Sequence, residues 1–131
     1  MIKQLTVIAD SRTGLIADIS RALAEGDINI RTIEAVEVAE QACVRLQVDD
    51  LDGALSRLNR EGMTVVAEDV LLLRIPDQPG SLANASNRLA EAGIDIRAIT
   101  MVHHGERENI VALACADPER ARQLLDEWMM N

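Results

Sequence analysis

Two short polar loops, each with a glycine, are the places in this 131-residue sequence where a small anion could bind. Gly14 and Gly80 both precede residues with helical apolar spacing, so the loop N–H groups would lie at the positive end of a helix dipole. Arg12 could add a bidentate contact to a carboxylate, and Asp77 could accept a hydrogen bond from an ammonium group. The same residue types are common in turns that bind nothing, so both interpretations stay open.

The histidines and cysteines give weaker indications of chemistry. Neighbouring residues on a strand point to opposite faces, so for His103 and His104 we expect a hairpin at Gly105 rather than a metal site. Cys43 and Cys115 lie in apolar runs without a CxxC spacing, and we expect buried, reduced thiols. The sequence has no nucleophile elbow, no phosphate-binding GxxxxGK motif and no cluster of metal ligands. We therefore expect no enzyme activity, no metal and no cofactor.

Charge and composition argue against several classes of partner. There are 22 acidic and 13 basic residues, giving a net charge of -9, and Trp128 is the single aromatic residue. Such a surface would repel nucleic acid and anionic membranes, and it offers no aromatic platform for bases. No apolar run approaches the ~18 residues of a membrane span, and the N-terminal segment MIKQLTVIAD lacks a signal-peptide pattern. We expect a cytoplasmic protein with an aliphatic core.

The sequence repeats itself with an offset of 66 residues. Leu23-Ala24-Glu25 recurs as Leu89-Ala90-Glu91, and Ile30-Arg31 recurs as Ile96-Arg97. A shift of one further residue then aligns the later apolar positions of the two copies. A supersecondary unit repeated once explains this pattern. We expect two domains, residues 1–68 and residues 69–131.

Each copy has the apolar pattern of strand, helix, strand, strand, helix and strand. In the first copy this apolar pattern predicts strands at residues 5–9, 28–36, 44–48 and 64–67, and helices at 16–26 and 51–58. This βαββαβ order is that of an α+β, ferredoxin-like unit, with helices on one face of an antiparallel sheet. We expect two such units in tandem.

The second copy ends before its last strand, since only three residues follow Trp128. In this fold the last strand pairs beside the first, so the strand Val70–Ile75 would have an unpaired edge and expose Leu71-Leu72-Leu73. Exposed apolar edges are normally covered. We therefore expect a homodimer or a larger assembly.

A turn of the type Asp-x-Pro-Gly, followed by a helix and then Gly-Ile-x-Ile, resembles the ACT domain. The second copy carries this motif as Asp77-Gln78-Pro79-Gly80 and as Gly93-Ile94-Asp95-Ile96. The first copy departs from it at Thr13, where the family has proline, and at Gly26-Asp27. The resemblance covers nearly the whole chain. The chain as a whole resembles the small stand-alone tandem ACT proteins.

The resemblance implies a site for a small amino acid at an interface between two ACT units. A strand-to-helix loop of one unit and the turn before the second strand of the other would form it. The implied ligand-binding residues are Ser11, Arg12, Thr13, Gly14, Leu15, Asn29, Asp77, Gln78, Pro79, Gly80, Ser81 and Asp95. Asn29 and Asp95 are equally compatible with solvated turns.

The resemblance further implies a regulatory protein that modulates a partner enzyme of amino-acid metabolism. Binding would be reported by a shift in packing, which requires different affinities in two states. An alternative function is an assembly module whose interface loops are simply packed and bind no ligand.

Overall fold

The computed structural model describes residues 2–130, which form two compact units. The first unit is Lys3–Glu68, and the second comprises the chain from Asp69 onward together with Ile2. The elements are β1 (Ile2–Asp10), α1 (Leu15–Glu25), β2 (Ile30–Val38), β3 (Gln41–Val48), α2 (Leu51–Arg60), β4 (Thr64–Pro76), α3 (Ser81–Glu91), β5 (Ile96–His104), β6 (Glu108–Cys115), α4 (Pro118–Leu124) and a 3₁₀ helix (Asp126–Trp128).

The first unit is an antiparallel sheet with α1 and α2 on one face. Strand β3 lies between β2 and β1, and the beginning of β4 follows on the other side of β1. Alternate residues of β1 and β3, such as Leu5 and Leu46, face the helices and are fully buried. Ile19 and Leu23 of α1 pack against them because residues four apart share a helix face. The core is aliphatic, as the composition predicts.

The second unit repeats this arrangement with β4, β6 and β5. Leu71 of β4 pairs with Leu113 of β6, which also pairs with Ile99 of β5. Leu89 of α3 and Leu125, at the end of α4, close the core from the helix side. Both units therefore have the expected ferredoxin-like order of elements, which confirms the fold class.

Strand β4 differs from the expectation of two separate strands. The sequence predicts one strand at residues 64–67 and another at Val70–Ile75, whereas β4 runs without interruption over 13 residues. The acidic pair Glu68-Asp69 suggests a break, but neither residue is a glycine or proline that would end a strand. The last strand of the first repeat and the first strand of the second are therefore a single element.

The expectation that Leu71-Leu72-Leu73 are exposed is also wrong, although Leu72 is only half-buried. Leu71 and Leu73 point into the core and are 0% and 2% exposed. The C-terminal segment approaches this strand, since Met129 forms a single bridge with Leu73 and the Met130 N–H donates to the Leu72 carbonyl at 2.9 Å. Among the described residues no strand follows α4, as expected, and one bridge lies where the last strand would pair.

Side-chain contacts of Trp128 hold this C-terminal segment against α3. The Arg88 guanidinium lies 4.2 Å from the centroid of the Trp128 ring, a cation–π contact, and it also forms an ion pair with Glu127. The Arg88 guanidinium donates to the Leu124 carbonyl at 3.2 Å. One arginine thus connects α3 to α4 and to the 3₁₀ helix.

The two cysteines are free thiols in different environments. Cys115 is buried, and burial raises the pKa of its thiol. Cys43 is only half-buried, which corrects the expectation that both are buried. It pairs with the exposed residues Ile8 and Val36, on the sheet face turned away from the helices.

Candidate functional site

The two glycine loops have the same backbone conformation. Gly14 and Gly80 begin α1 and α3 with left-handed φ values of 86° and 90°, a region that glycine adopts without strain. In each loop an N–H donates across the sheet at 2.7 Å, from Ser11 to the Glu40 carbonyl and from Asp77 to the Arg107 carbonyl. Neither helix is capped by a side chain. The Leu15 and Ser81 N–H groups approach the Arg12 and Gln78 carbonyls, and the other first-turn N–H groups have no side-chain cap at the positive end of each helix.

In the first unit the loop borders a cavity of about 340 Å³ between α1 and the strands β2 and β3, here named the first groove. Its lining residues are Ser11, Arg12, Gly14, Leu15, Ile16, Ala17, Ala35, Val36, Glu37, Ala42 and Val44. Four of them belong to the set implied by the resemblance, and Thr13 lies in the same loop without lining the groove. Glu37 of β2 and Ala42 of β3 also line the groove and were not among the predicted site residues.

Arg12 supplies the positive charge of the first groove. Its guanidinium lies 2.6 Å from an Asp18 carboxylate oxygen, and about half of its side chain is exposed. The hydrogen bond and the charge of Arg12 hold the pKa of Asp18 below its ordinary value. A guanidinium has five N–H donors, so pairing with Asp18 leaves donors for a second carboxylate.

Glu37 supplies a negative charge in the same groove. No ion pair to Glu37 is formed within residues 2–130. The rest of the lining is largely apolar: Ala42 and Val44 face the helix side of the sheet, Leu15 lies at the start of α1, and all three are buried. The first groove thus combines one cation, one anion and an aliphatic surface.

The corresponding loop of the second unit is arranged differently. Gln78, Pro79, Gly80 and Ser81 border a cavity of about 390 Å³ together with Pro76, Asn84 and Trp128. Asp77 is not part of that lining, since its carboxylate accepts a hydrogen bond from the Asn109 amide at 3.0 Å. His104 Nε2 lies 3.6 Å from the other carboxylate oxygen of Asp77. Asn109, at 5% exposure, is a buried polar residue that the sequence did not single out.

Asn29 and Asp95 lie at the opposite end of each unit from its own glycine loop. They follow the C-terminal ends of α1 and α3, and 11 helical residues span roughly 16 Å. The Asn29 N–H donates to the Asp49 carboxylate at 3.0 Å, and the Asp95 carbonyl accepts from the Ala116 N–H at 2.9 Å. Within a single unit, these residues therefore do not join the loop residues.

His103 and His104 end β5 at the predicted hairpin, which Gly105 closes through an N–H bond to the Glu108 carbonyl at 3.0 Å. This confirms the hairpin. The described residues include no group of three or more His, Cys, Asp or Glu side chains placed to hold a metal ion. None of the described helices is both long and apolar enough to cross a membrane.

Comparison with known proteins identifies the family. Residues 1–130 match the family model described as an ACT domain pair. The chain belongs to this family. No curated protein matches the chain.

Solved structures share the fold of this ACT domain pair. Protein BT0572 from Bacteroides thetaiotaomicron is 23% identical, with a TM-score of 0.75 over 98% of this chain and 91% of that one. The regulatory subunit of aspartate kinase from Thermus flavus is 21% identical, with a TM-score of 0.65 over 95% of this chain and 88% of that one. The corresponding subunit from Thermus thermophilus, in a ligand-free form, is also 21% identical, with a TM-score of 0.59 and the same coverage.

Proposed function

We propose that this ACT domain pair is a regulatory module that binds a small amino acid and modulates a partner enzyme of amino-acid metabolism. We also propose that each unit is one ACT domain, with the boundary between residues 68 and 69. Two structural neighbours are regulatory subunits of aspartate kinase, which supports a regulatory function within this fold. The first groove is the place in the described chain that best fits the ligand.

The observation that carries this proposal is that one cation and one anion line a groove whose remaining surface is largely apolar. Arg12 and the N–H groups at the start of α1 can bind an α-carboxylate. Glu37 can accept hydrogen bonds from an α-ammonium group. A free amino acid carries both groups on one carbon, so a zwitterion would provide a partner for each of the two charged residues in the groove.

A neighbouring concavity of about 590 Å³ shares Arg12 and Leu15 with the first groove but fits an amino acid less well. Its lining adds the acidic residues Asp10 and Glu61, of which Asp10 already accepts a hydrogen bond from Gln41 at 2.5 Å. Two carboxylates near one arginine disfavour a ligand carboxylate. The first groove, with a single carboxylate in its lining, is therefore the better candidate.

Regulation requires that the ligand stabilise one state of the protein over another. A ligand in the first groove would contact α1, β2 and β3 at once, so it would restrict how α1 sits on the sheet. A partner enzyme that binds only one arrangement of these elements would then sense whether the groove is filled. The coupling is reciprocal, so the partner would also change the affinity for the amino acid.

A thermal-shift screen of the twenty amino acids tests the proposal. We expect at least one of them to raise the unfolding temperature at millimolar concentration. A ligand at 100 times its Kd stabilises the folded state by about 2.7 kcal/mol. The Arg12→Ala variant is the matched control, because a ligand that acts through the first groove should stabilise it much less. No stabilisation by any amino acid would contradict the proposal.

A further inference from the structure

We propose that only the first unit binds the ligand, because Asn109 closes the equivalent position in the second unit. The ligand is then a zwitterion with a small aliphatic side chain, and one molecule binds per chain. This inference rests on the proposed function. Of the two homologous positions, the first would hold the ligand and the second would not.

The register of the strands establishes which residues correspond. Ala42 of β3 pairs with Ala9 of β1, and Asn109 of β6 pairs with Ile75 of β4, at the same step of each sheet. Ala42 also pairs with Glu37, as Asn109 does with His104. Asn109 therefore stands where the first groove has Ala42, and His104 stands where it has Glu37.

The loop residues correspond in the same way. The Ser11 N–H and the Asp77 N–H make the same bond across the sheet, so Asp77 takes the place of Ser11. The Leu15 N–H approaches the Arg12 carbonyl just as the Ser81 N–H approaches the Gln78 carbonyl. Gln78 therefore occupies the position of Arg12. The second unit has no arginine at the place where the first unit has its cation.

The second unit has larger side chains at three positions that border or adjoin the groove of the first. Ala42 becomes Asn109, Ser11 becomes Asp77, and Ala35, which pairs with Val44, becomes Met101, which pairs with Val111. Each change adds side-chain volume. Asn109 and Asp77 hydrogen-bond to one another at 3.0 Å, so these larger side chains meet inside the position of the groove.

The hydrogen bond also fixes the orientation of the Asn109 amide. A carboxylate only accepts, so the amide nitrogen must face Asp77 and the amide oxygen must point away. That oxygen is buried and has no hydrogen-bond partner within residues 2–130. A ligand entering here would have to separate Asn109 from Asp77 and would find no cation at Gln78. At the position equivalent to the first groove, where Asn109 and Asp77 meet, the second unit thus lacks both the open space and the arginine of the first.

The lining of the first groove indicates the side chain of the ligand. Leu15, Ala42 and Val44 are buried apolar residues, and Ala17 and Ala35 add small side chains at the rim. This surface favours a short aliphatic side chain because burying apolar groups from water is favourable. A second charge on the ligand would have no partner there. L-Valine is therefore a suitable probe.

Calorimetric titration of L-valine into four forms of the full chain tests the inference. We expect one binding event per wild-type chain. The Ser11→Asp/Ala42→Asn double variant transplants the hydrogen-bonded pair of the second unit and should lose at least tenfold in affinity. Asn109→Ala should keep the wild-type affinity and stoichiometry. Ala35→Met narrows the groove from an exposed position, so it should weaken binding even if the double variant does not fold.

Valinamide and isovalerate serve as matched ligands, because the first lacks the carboxylate and the second lacks the ammonium group. Both should bind at least tenfold more weakly than valine. Two valine molecules per chain, loss of binding in Asn109→Ala, or unchanged affinity in both filled-groove variants would overturn the inference while leaving the proposed function intact. Binding of other amino acids but not of valine would overturn the aliphatic assignment. Failure of all twenty amino acids to bind would instead overturn the proposed function.

Discussion

Arg12 forms an ion pair with Asp18 while it borders the first groove, and this double role determines how it would bind a ligand. Asp18 lies in the first turn of α1 and is itself within 3.6 Å of Arg21. An arginine held by a neighbouring carboxylate loses less side-chain entropy on binding than a free one. We therefore regard the Asp18 pair as preorganisation of the groove rather than as competition with the ligand.

Replacement of Arg12 by alanine should weaken binding of the amino acid about tenfold or more. A hydrogen bond to a charged group contributes about 1.5–3 kcal/mol, and the variant loses such contacts to the carboxylate. Gln78→Ala, at the equivalent loop position of the second unit, is the matched control and should have a smaller effect. Calorimetric titration measures both. Unchanged affinity in Arg12→Ala would show that Arg12 is only a solvated loop residue.

The sequence predicted part of this site and missed part of it, for a physical reason. Ser11, Arg12, Gly14 and Leu15 are consecutive or nearly so, and a loop before a helix can be read from local patterns. Glu37 and Ala42 come from β2 and β3, and they reach the groove only through the strand register. Alignment of the two repeats could have indicated this position, because Ala42 in the first repeat aligns with the polar residue Asn109 in the second.

At the scale of elements, the helices begin in two different ways. Helices α1 and α3 start at a left-handed glycine without a side-chain cap, whereas α2 and α4 start at Asp50 and Asp117. Each aspartate accepts a hydrogen bond from the N–H three residues later, at 3.0 Å from Gly53 and 3.2 Å from Arg120. The uncapped helix starts coincide with the loops of the candidate site, and the capped ones do not.

Asp50→Ala should destabilise the first unit by about 1 kcal/mol, the usual cost of losing an N-cap. Asn59→Ala, an exposed change in the last turn of the same helix, is the control and should be nearly neutral. Gly53→Ala should give none of the ordinary gain in stability, because a Cβ at that position would collide with an Asp50 carboxylate oxygen. Chemical denaturation followed by circular dichroism measures the three values. Equal stability of Asp50→Ala and Asn59→Ala would contradict the capping function.

Local sequence patterns are sufficient to predict some boundaries of helices and strands but not others. The Asp117-Pro118 start of α4 can be read from the sequence, since an N-cap followed by proline is a local signal. The continuity of β4 could not be read in this way, because two acidic residues between apolar runs are typical of a loop. The turn after α1 places Asp27 at a left-handed φ of 57°, where the second repeat has Gly93 at 73°. Aspartate tolerates this region better than most residues, which explains how the first repeat departs from the motif and keeps the fold.

At the scale of the whole molecule, a homodimer would have to form through a different surface from the one that the sequence predicts. Leu71 and Leu73, which were expected to be exposed at the edge of Val70–Ile75, are buried, but among residues 2–130 strands β2 and β5 each pair with one neighbouring strand. Both edges carry exposed apolar residues at equivalent positions, Ile33 on β2 and Ile99 on β5 at 46% and 44% exposure. Ile16 and Leu82, on the adjacent helices, are exposed as well. We propose that a second copy of this chain covers these edges.

Repetition of the same apolar positions in both units is the reason to expect a second copy rather than an unrelated partner. A symmetric dimer needs surfaces that complement themselves, and closed symmetric dimers are the commonest oligomers of soluble proteins. Unpaired edges with exposed apolar side chains are also the places where two sheets pair most readily. We therefore expect sedimentation at micromolar concentration to give a dimer or a larger closed assembly.

Ile33→Asp and Ile99→Asp should each shift the sedimentation equilibrium towards monomer, because a charge would then be buried on assembly. Val66→Asp is the matched control: Val66 is about as exposed as these isoleucines but lies on β4, outside both edges. It should leave the dimer intact. A stable monomer of the wild-type chain at micromolar concentration would refute the dimer. Dissociation by Val66→Asp alone would place the contact on another face of the sheet.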